Sequence, residues 1–140
     1  MHESLRVFDS SFVIDLIHSD PDAAGLARLI DEEHSIAAIS VVSIHEYFLG
    51  IHLRYFQDKE ILSGKLEAAE KDLMPFMILP ITREIAMESA RIQATLAKRG
   101  RTIGINDVYI AATAMVNKAV VVTRSTSHFE QIQGLHVEKY

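Results

Sequence analysis

Three acidic residues occupy similar places relative to predicted strands and helices, and together their side chains could hold a cation. Asp9 follows an apolar run that begins at Leu5, Glu46 follows a second run over residues 35–40, and Asp107 precedes an alanine-rich apolar segment. Carboxylates that are brought together repel one another unless they are protonated or neutralised. Hard oxygen ligands select Mg²⁺ or Mn²⁺, and such a cation can activate water for displacement at phosphorus. The pattern therefore predicts a Mg²⁺ or Mn²⁺ site.

Simpler explanations exist for two of these acids. Aspartate is a common N-cap, and Ser10 and Ser11 follow Asp9, so Asp9 could serve only the start of a helix. His45-Glu46 begins like the zinc motif His-Glu-x-x-His, but Leu49 occupies the position of the second histidine. The zinc interpretation therefore fails, whereas the N-cap interpretation of Asp9 stays open.

Composition and charge limit the class of protein. The chain has 140 residues, of which 49% are hydrophobic and 24% charged, and this predicts a single globular domain over residues 1–140. The absence of cysteine excludes disulfides and thiolate metal sites. No apolar stretch approaches the roughly 20 residues that span a bilayer, and no secretory signal is apparent, so we expect a cytoplasmic protein without membrane contact. The net charge of −5 argues against a protein that coats nucleic acid, but an enzyme with a bound cation remains compatible.

The elements that must position the acids alternate between strand and helix. Apolar runs predict strands before Asp9 and over residues 35–40, 77–79, 119–123 and 136–139. Apolar residues at helical spacing predict helices after Asp9 and over residues 21–33, 43–51, 58–73, 82–98 and 108–116. In this scheme Ser43 starts its helix, Glu46 lies in the first turn, and Asn106 caps the helix that follows Asp107.

This alternation predicts an α/β fold, a three-layer α/β/α sandwich around a mainly parallel sheet of about five strands. Right-handed crossovers bring the carboxyl ends of all parallel strands to one edge of the sheet. We therefore expect Asp9, Glu46, Asp107 and the turn over residues 123–125 to meet at this edge, where open α/β sheets bind ligands.

Several short motifs, in their order and separation, resemble the PIN-domain ribonucleases, and among them the VapC-like toxins of bacterial and archaeal toxin–antitoxin pairs. They are Asp9-Ser10-Ser11, Ser43-Ile44-His45-Glu46 with Gly50, Gly104-Ile105-Asn106-Asp107, Val121-Val122-Thr123-Arg124 and His128-Phe129. The resemblance covers nearly the whole chain and implies a PIN-like fold. It also implies a Mg²⁺-dependent endoribonuclease that cleaves RNA, is usually dimeric and is held inactive by a cognate antitoxin.

The resemblance also assigns residues to roles. Asp9, Glu46 and Asp107 match the three acidic metal-site residues of the family, and Thr123 and Ser11 match its hydroxyls beside the first acid. Members commonly have Asp or Asn at a fourth position, where this chain has Ser125. A serine hydroxyl is a weak neutral ligand, so we expect a second cation to bind poorly there. This would affect the rate of catalysis rather than the fold.

Further assignments concern five residues around the predicted site. Arg124 stands beside it and is predicted to contact an RNA phosphate. Thr123 and Ser11 are also predicted to bind the substrate. Asp15 is left outside the site, and His128 is given a structural role.

Two helices, one with Tyr47, Phe48 and Ile51 and one with Ile85, Ile92 and Leu96, are predicted to carry more apolar surface than a monomer's core needs. This predicts a homodimer.

Two other classes of function remain open. Ser125 leaves room for a catalytically weakened PIN-like module that binds RNA or a partner protein. Three acids also suit a Mg²⁺-dependent hydrolase of small phosphates, although the chain lacks the aspartate-nucleophile pattern expected of such an enzyme.

Overall fold

A single five-stranded sheet forms the centre of the computed structural model, which describes residues 5–18, 20–33 and 35–140. The strands are β1 Leu5–Phe8, β2 Ile36–Ser40, β3 Met77–Leu79, β4 Val120–Thr123 and β5 Val137–Lys139, in the order β3-β2-β1-β4-β5. Every neighbouring pair is parallel. The predicted α/β class, the strand count and the parallel sheet are confirmed.

Among the described residues, six helices connect the strands and cover the sheet. They are α1 Ser10–Ile17, α2 Pro21–Glu32, α3 Val41–Tyr55, α4 Lys59–Leu73, α5 Arg83–Lys98 and α6 Ile105–Val116, and a short 3-10 turn follows at Phe129–Gln131. Most begin at a side-chain cap whose oxygen accepts a backbone N–H; the caps are Asp9, Asp20, Ser40, Asp58 and Thr82.

Alternate residues of each strand feed two separate cores. Val7 and Val121 face a layer that includes Ile92 of α5 and Ile110 of α6, while Phe8 and Val122 face the opposite layer. That second layer contains Phe12, Val13, Ala23 and Leu73, from α1, α2 and α4. Since successive side chains of a strand point to opposite faces, this division defines the three-layer α/β/α sandwich.

Two predicted helix starts were wrong. The third helix begins at Val41, directly after its cap Ser40, so Glu46 lies in the second turn rather than the first. The sixth helix begins at Ile105 after Gly104, which makes no side-chain cap, and Asn106 lies inside the first turn beside Asp107. In both cases the chain passes from strand or loop into helix earlier than the polar residues suggested.

The dimer argument also needs correction. Ile85, Ile92 and Leu96 of α5 are buried in the core against α6, so they add no free apolar surface. Tyr47 and Phe48 pack partly against the other core.

Within the described part of the chain, no helix combines the length and apolar character needed to cross a membrane. The predicted cytoplasmic location and the single domain over residues 1–140 stay predictions.

Candidate active site

Asp9 serves both as a helix cap and as the buried centre of the predicted site. It follows β1, is 8% exposed, and its Oδ1 accepts hydrogen bonds from Ser11 Oγ at 2.7 Å and from the Phe12 amide at 3.2 Å. The Thr123 hydroxyl donates to the other oxygen, Oδ2, at 2.5 Å. Burial raises the pKa of Asp9, and the nearby Asp107 carboxylate adds to this, while the three hydrogen bonds oppose it. The two interpretations of Asp9 are therefore compatible.

Glu46 joins the same electrostatic environment from α3. Burial raises its pKa most, the Asp107 carboxylate adds to the shift, and Asp9 adds a smaller part. Hydrogen bonds with Asn106 and Ser10 oppose the rise. Asp107 thus acts on both other acids and Asp9 acts on Glu46, so the three carboxylates lie near one another, with Asp9 directly after the carboxyl end of β1.

Asp107 lies in the first turn of α6, where the helix dipole favours an anion. Its Oδ2 is 2.9 Å from Nδ1 of His128, a residue in the turn that follows β4. A structural role was predicted for His128, and its contact with a site acid was missed. Its position just beyond the carboxyl end of β4 was the available signal, since the predicted site lies at that edge of the sheet.

Thr123 and Ser125 make a contact with each other that the sequence did not predict. The Thr123 side chain is fully buried, and its Oγ1 accepts from the Ser125 amide at 3.1 Å while it donates to Asp9. Ser125 is exposed and meets Thr123 through its backbone. The Thr123 hydroxyl is thus engaged by Asp9 and by the Ser125 amide, and its predicted contact with the substrate stays a prediction.

Arg124 is engaged with residues that the sequence left outside the site. Its Nε lies 3.2 Å from Asp15 Oδ2, and its Nη2 lies 3.0 Å from Asp20 Oδ2. The guanidinium carbon stands 5.3 Å from the centre of the Tyr140 ring. The predicted contact of Arg124 with an RNA phosphate stays a prediction.

The donor chemistry at this edge suits a hard divalent cation, since the acids supply carboxylate oxygens. Ser43, one helical turn before Glu46 on α3, adds a hydroxyl that is buried and has no hydrogen-bond partner among the described residues. Across residues 5–18, 20–33 and 35–140, no three Asp, Glu or His side chains are placed closely enough to hold an ion as they stand. The site therefore fits a cation by ligand type and location, and the side chains must move inward to bind it.

Fold and site together define an α/β protein with an acidic centre at the carboxyl edge of a parallel sheet. The family model for the PIN domain matches residues 6–135. The chain therefore belongs to the PIN-domain family, and the resemblance stated from its motifs is confirmed.

Curated relatives align over most of their length. The VapC ribonuclease Y4jK of Sinorhizobium fredii is 28% identical over 125 residues, which are 89% of each chain. Ribonuclease VapC19 of Mycobacterium tuberculosis is 30% identical over 136 residues, or 94% of this chain and 97% of the relative.

Solved structures have the same fold. The DNA-bound VapBC structure from Salmonella typhimurium superposes with a TM-score of 0.83 at 23% identity, over 99% of this chain and 98% of the other. FitAcB from Neisseria gonorrhoeae gives a TM-score of 0.79 at 27% identity, over 94% and 95%.

Proposed function

We propose that this chain is a Mg²⁺- or Mn²⁺-dependent endoribonuclease that hydrolyses RNA phosphodiester bonds and acts as the toxin of a toxin–antitoxin pair. The observation that carries the proposal is that buried Asp9 lies directly after the carboxyl end of β1, with Glu46 and Asp107 close enough for carboxylate repulsion to contribute to the raised pKa of Asp9 and of Glu46. Relatives named VapC ribonuclease support the reaction, because they share the family and most of the chain length.

In this proposal Asp9, Glu46 and Asp107 hold the cation, which would supply an activated water and stabilise charge at phosphorus. The chain's own hydrogen bonds orient these ligands: Thr123 and Ser11 fix Asp9, and His128 contacts Asp107. Asn106 stands beside Glu46 in the same way. Loss of a group that orients a metal ligand commonly lowers metal affinity or activity by roughly 10- to 100-fold.

Two partners belong to the proposal. A cognate antitoxin is proposed because solved relatives are described as VapBC and FitAcB assemblies. A homodimer is proposed from exposed apolar residues near the end of α3, where Leu53 is 71% and Phe56 72% exposed.

Single-turnover cleavage of a structured RNA with titrated Mg²⁺, using antitoxin-free protein, tests the proposed reaction. Wild-type protein should cleave only with the cation, and Asp107→Asn should abolish cleavage while the protein stays folded. Glu88→Gln, which removes an acid on α5, is the matched control and should cleave normally. Equal cleavage by wild type and Asp107→Asn would contradict the proposal and favour the module that binds RNA or a partner without cutting.

A further inference from the structure

The surroundings of Arg124 form a compact polar cluster on the α1 side of the site. Asp15 Oδ2 receives both the Arg124 Nε contact at 3.2 Å and a hydrogen bond from the Tyr140 hydroxyl at 2.6 Å. Asp20 Oδ2 binds Arg124 Nη2 and also accepts the Ala23 amide at 3.0 Å, the hydrogen bond that caps α2. The cluster thus ties Arg124, which follows β4, to α1, to the start of α2 and to the residue after β5.

The Tyr140 ring connects this cluster to the buried core. Its ring meets the Phe12 ring edge-on at a centroid distance of 5.0 Å, and Phe12 is itself buried against Phe8. The guanidinium of Arg124 lies over the Tyr140 ring, which is a favourable cation–π arrangement. Burial and the Asp15 carboxylate raise the pKa of Tyr140, so its hydroxyl remains a donor at neutral pH.

The helix α1 therefore grips the end of β4 at two points. At the N-terminus of α1, Asp9 accepts a hydrogen bond from the Thr123 hydroxyl. In the second turn of α1, Asp15 binds Arg124, the residue that follows Thr123. Asp9 and Asp15 are held together by one helix, and Thr123 and Arg124 are neighbours in the chain. Movement of Arg124 away from Asp15 would therefore also move Thr123 relative to Asp9. Charge also favours a structural role: two carboxylates on one guanidinium leave the cluster with a net negative charge, which repels phosphate.

We propose that Asp15, Arg124 and Tyr140 form a latch that holds the end of β4 against α1 and so keeps Thr123 hydrogen-bonded to Asp9. Arg124 and Asp15 are then positioning residues for the first acid of the site, and Arg124 is not a phosphate contact. The effect on cleavage rests on the proposed nuclease function, whereas the effect on the strand end does not.

Hydrogen exchange tests the latch without RNA or metal. The Asp9 amide donates to the Val122 carbonyl at 3.3 Å, and the Ser125 amide donates to Thr123 Oγ1 at 3.1 Å. Both amides should exchange faster in Arg124→Gln and in Asp15→Asn than in wild type, and Tyr140→Phe should show a smaller change in the same direction. Surface ion pairs contribute little to global stability, so these variants should stay folded. Unchanged exchange at both amides would overturn the latch.

Kinetics then separate the latch from a phosphate contact. Arg124→Gln and Asp15→Asn should each lower kcat, by roughly ten- to a hundredfold if the first acid is displaced by about 1 Å, with little change in KM. The kcat of the double variant should be no lower than that of the slower single variant, because both substitutions open the same contact. Arg91→Gln, which breaks the exposed pair with Glu88 on α5, is the matched control and should leave both constants unchanged.

RNA affinity, measured in an Asp107→Asn background, distinguishes the latch from a phosphate contact of Arg124. If Arg124 binds a phosphate, Arg124→Gln alone should weaken binding and reduce the salt dependence by about one contact, while Asp15→Asn should leave binding unchanged or tighter. That result would overturn the latch. Equal binding and equal salt dependence in both variants would support it. Accelerated exchange in a protein that cleaves no RNA would support the latch and contradict the nuclease.

Discussion

Glu46 and Asp9 are carboxyl groups that the fold holds in an unfavourable state at neutral pH. The pKa of each is raised above its ordinary value, 4.5 for Glu46 and 3.8 for Asp9, chiefly by burial. A raised pKa in the folded state means that the protonated form is the stabilised one. The resulting stability is present below the ordinary pKa and is lost as pH rises through the raised value. A bound cation would remove the same penalty by neutralising the charges.

The metal-free protein should therefore gain thermal stability as pH falls through the raised pKa values of Glu46 and Asp9 toward their ordinary values of 4.5 and 3.8. Glu46→Gln should reduce this gain, because an amide carries no charge to protonate. Glu88→Gln is the matched control: Arg91 lowers the pKa of Glu88, so its stabilisation is present above pH 4.5 and is lost only at lower pH. Thermal melts across this range measure the gain, and an equal gain in wild type and Glu46→Gln would contradict the assignment.

Ser125 occupies the position at which the resemblance to PIN-domain ribonucleases implies a fourth acidic or amide ligand. Ser125→Asp should raise cleavage or Mn²⁺ affinity, since it adds an anionic ligand beside Thr123 at the family's fourth position. Ser127→Asp adds the same charge in the same exposed turn and is the control. Isothermal titration with Mn²⁺ compares the two, and an equal change in both variants would indicate a general charge effect rather than a ligand.

Sequence reasoning placed the three acids on the correct side of the fold but assigned their neighbours less well. Periodicity locates Asp9, Glu46 and Asp107 at the carboxyl edge because each lies near a strand or helix end. It does not show which side chains meet across the edge. The contact of His128 with Asp107 joins residues that are 21 positions apart, and that of Thr123 with Asp9 spans 114 positions. Such contacts depend on tertiary packing.

At the scale of elements, helix starts were the least predictable feature. Val41 and Val42 are β-branched and apolar, so they read as a continuation of β2, although Ser40 already caps a helix. Asn106 has the side chain of a good cap, but it contributes to the pKa of Glu46 instead, and the helix starts two residues earlier than the cap rule implied. Strand β3 was located correctly because Pro75 and Pro80 bracket it.

The end of α5 offers a test of backbone conformation. Gly100 has φ of 69°, a left-handed conformation that allows the Arg101 amide to donate to the Leu96 carbonyl at 2.9 Å. Gly100→Ala should lower the free energy of unfolding by roughly 1 kcal/mol, because a side chain disfavours this conformation. Gly104→Ala is the control, since its φ of −58° is ordinary and no atom crowds an added Cβ. Chemical denaturation of both variants measures the difference, and equal losses would contradict the explanation.

At the scale of the whole molecule, the sequence could not say which apolar stripes face a partner. Ile85, Ile92 and Leu96 recur at helical spacing, and such spacing is the same whether a stripe faces the protein's own core or another chain. The structure places these residues in the core and leaves other apolar residues exposed. Among the latter, Leu53 and Phe56 lie near the end of α3 and at its C-cap.

Leu53→Glu and Phe56→Glu should therefore shift the antitoxin-free protein from dimer to monomer without lowering the melting temperature of the monomer. Both side chains are more than two-thirds exposed, at 71% and 72%, so a charge there costs the folded chain little. Val116→Glu, at a 40% exposed position at the end of α6, is the control. Light scattering at micromolar concentration measures the mass. A wild-type monomer would refute the homodimer, and dimers in both α3 variants would exclude this surface as the interface.

Binding of Mn²⁺ to the antitoxin-free protein, measured by isothermal titration, tests most directly whether Asp9, Glu46 and Asp107 share one cation. Wild type should bind the ion, and Asp9→Asn, Glu46→Gln and Asp107→Asn should each weaken binding by about tenfold or more, because each removes an anionic ligand. Glu88→Gln should bind as wild type does. Unchanged affinity in any one of the three site variants, with the fold intact, would remove that residue from the metal centre and contradict the account.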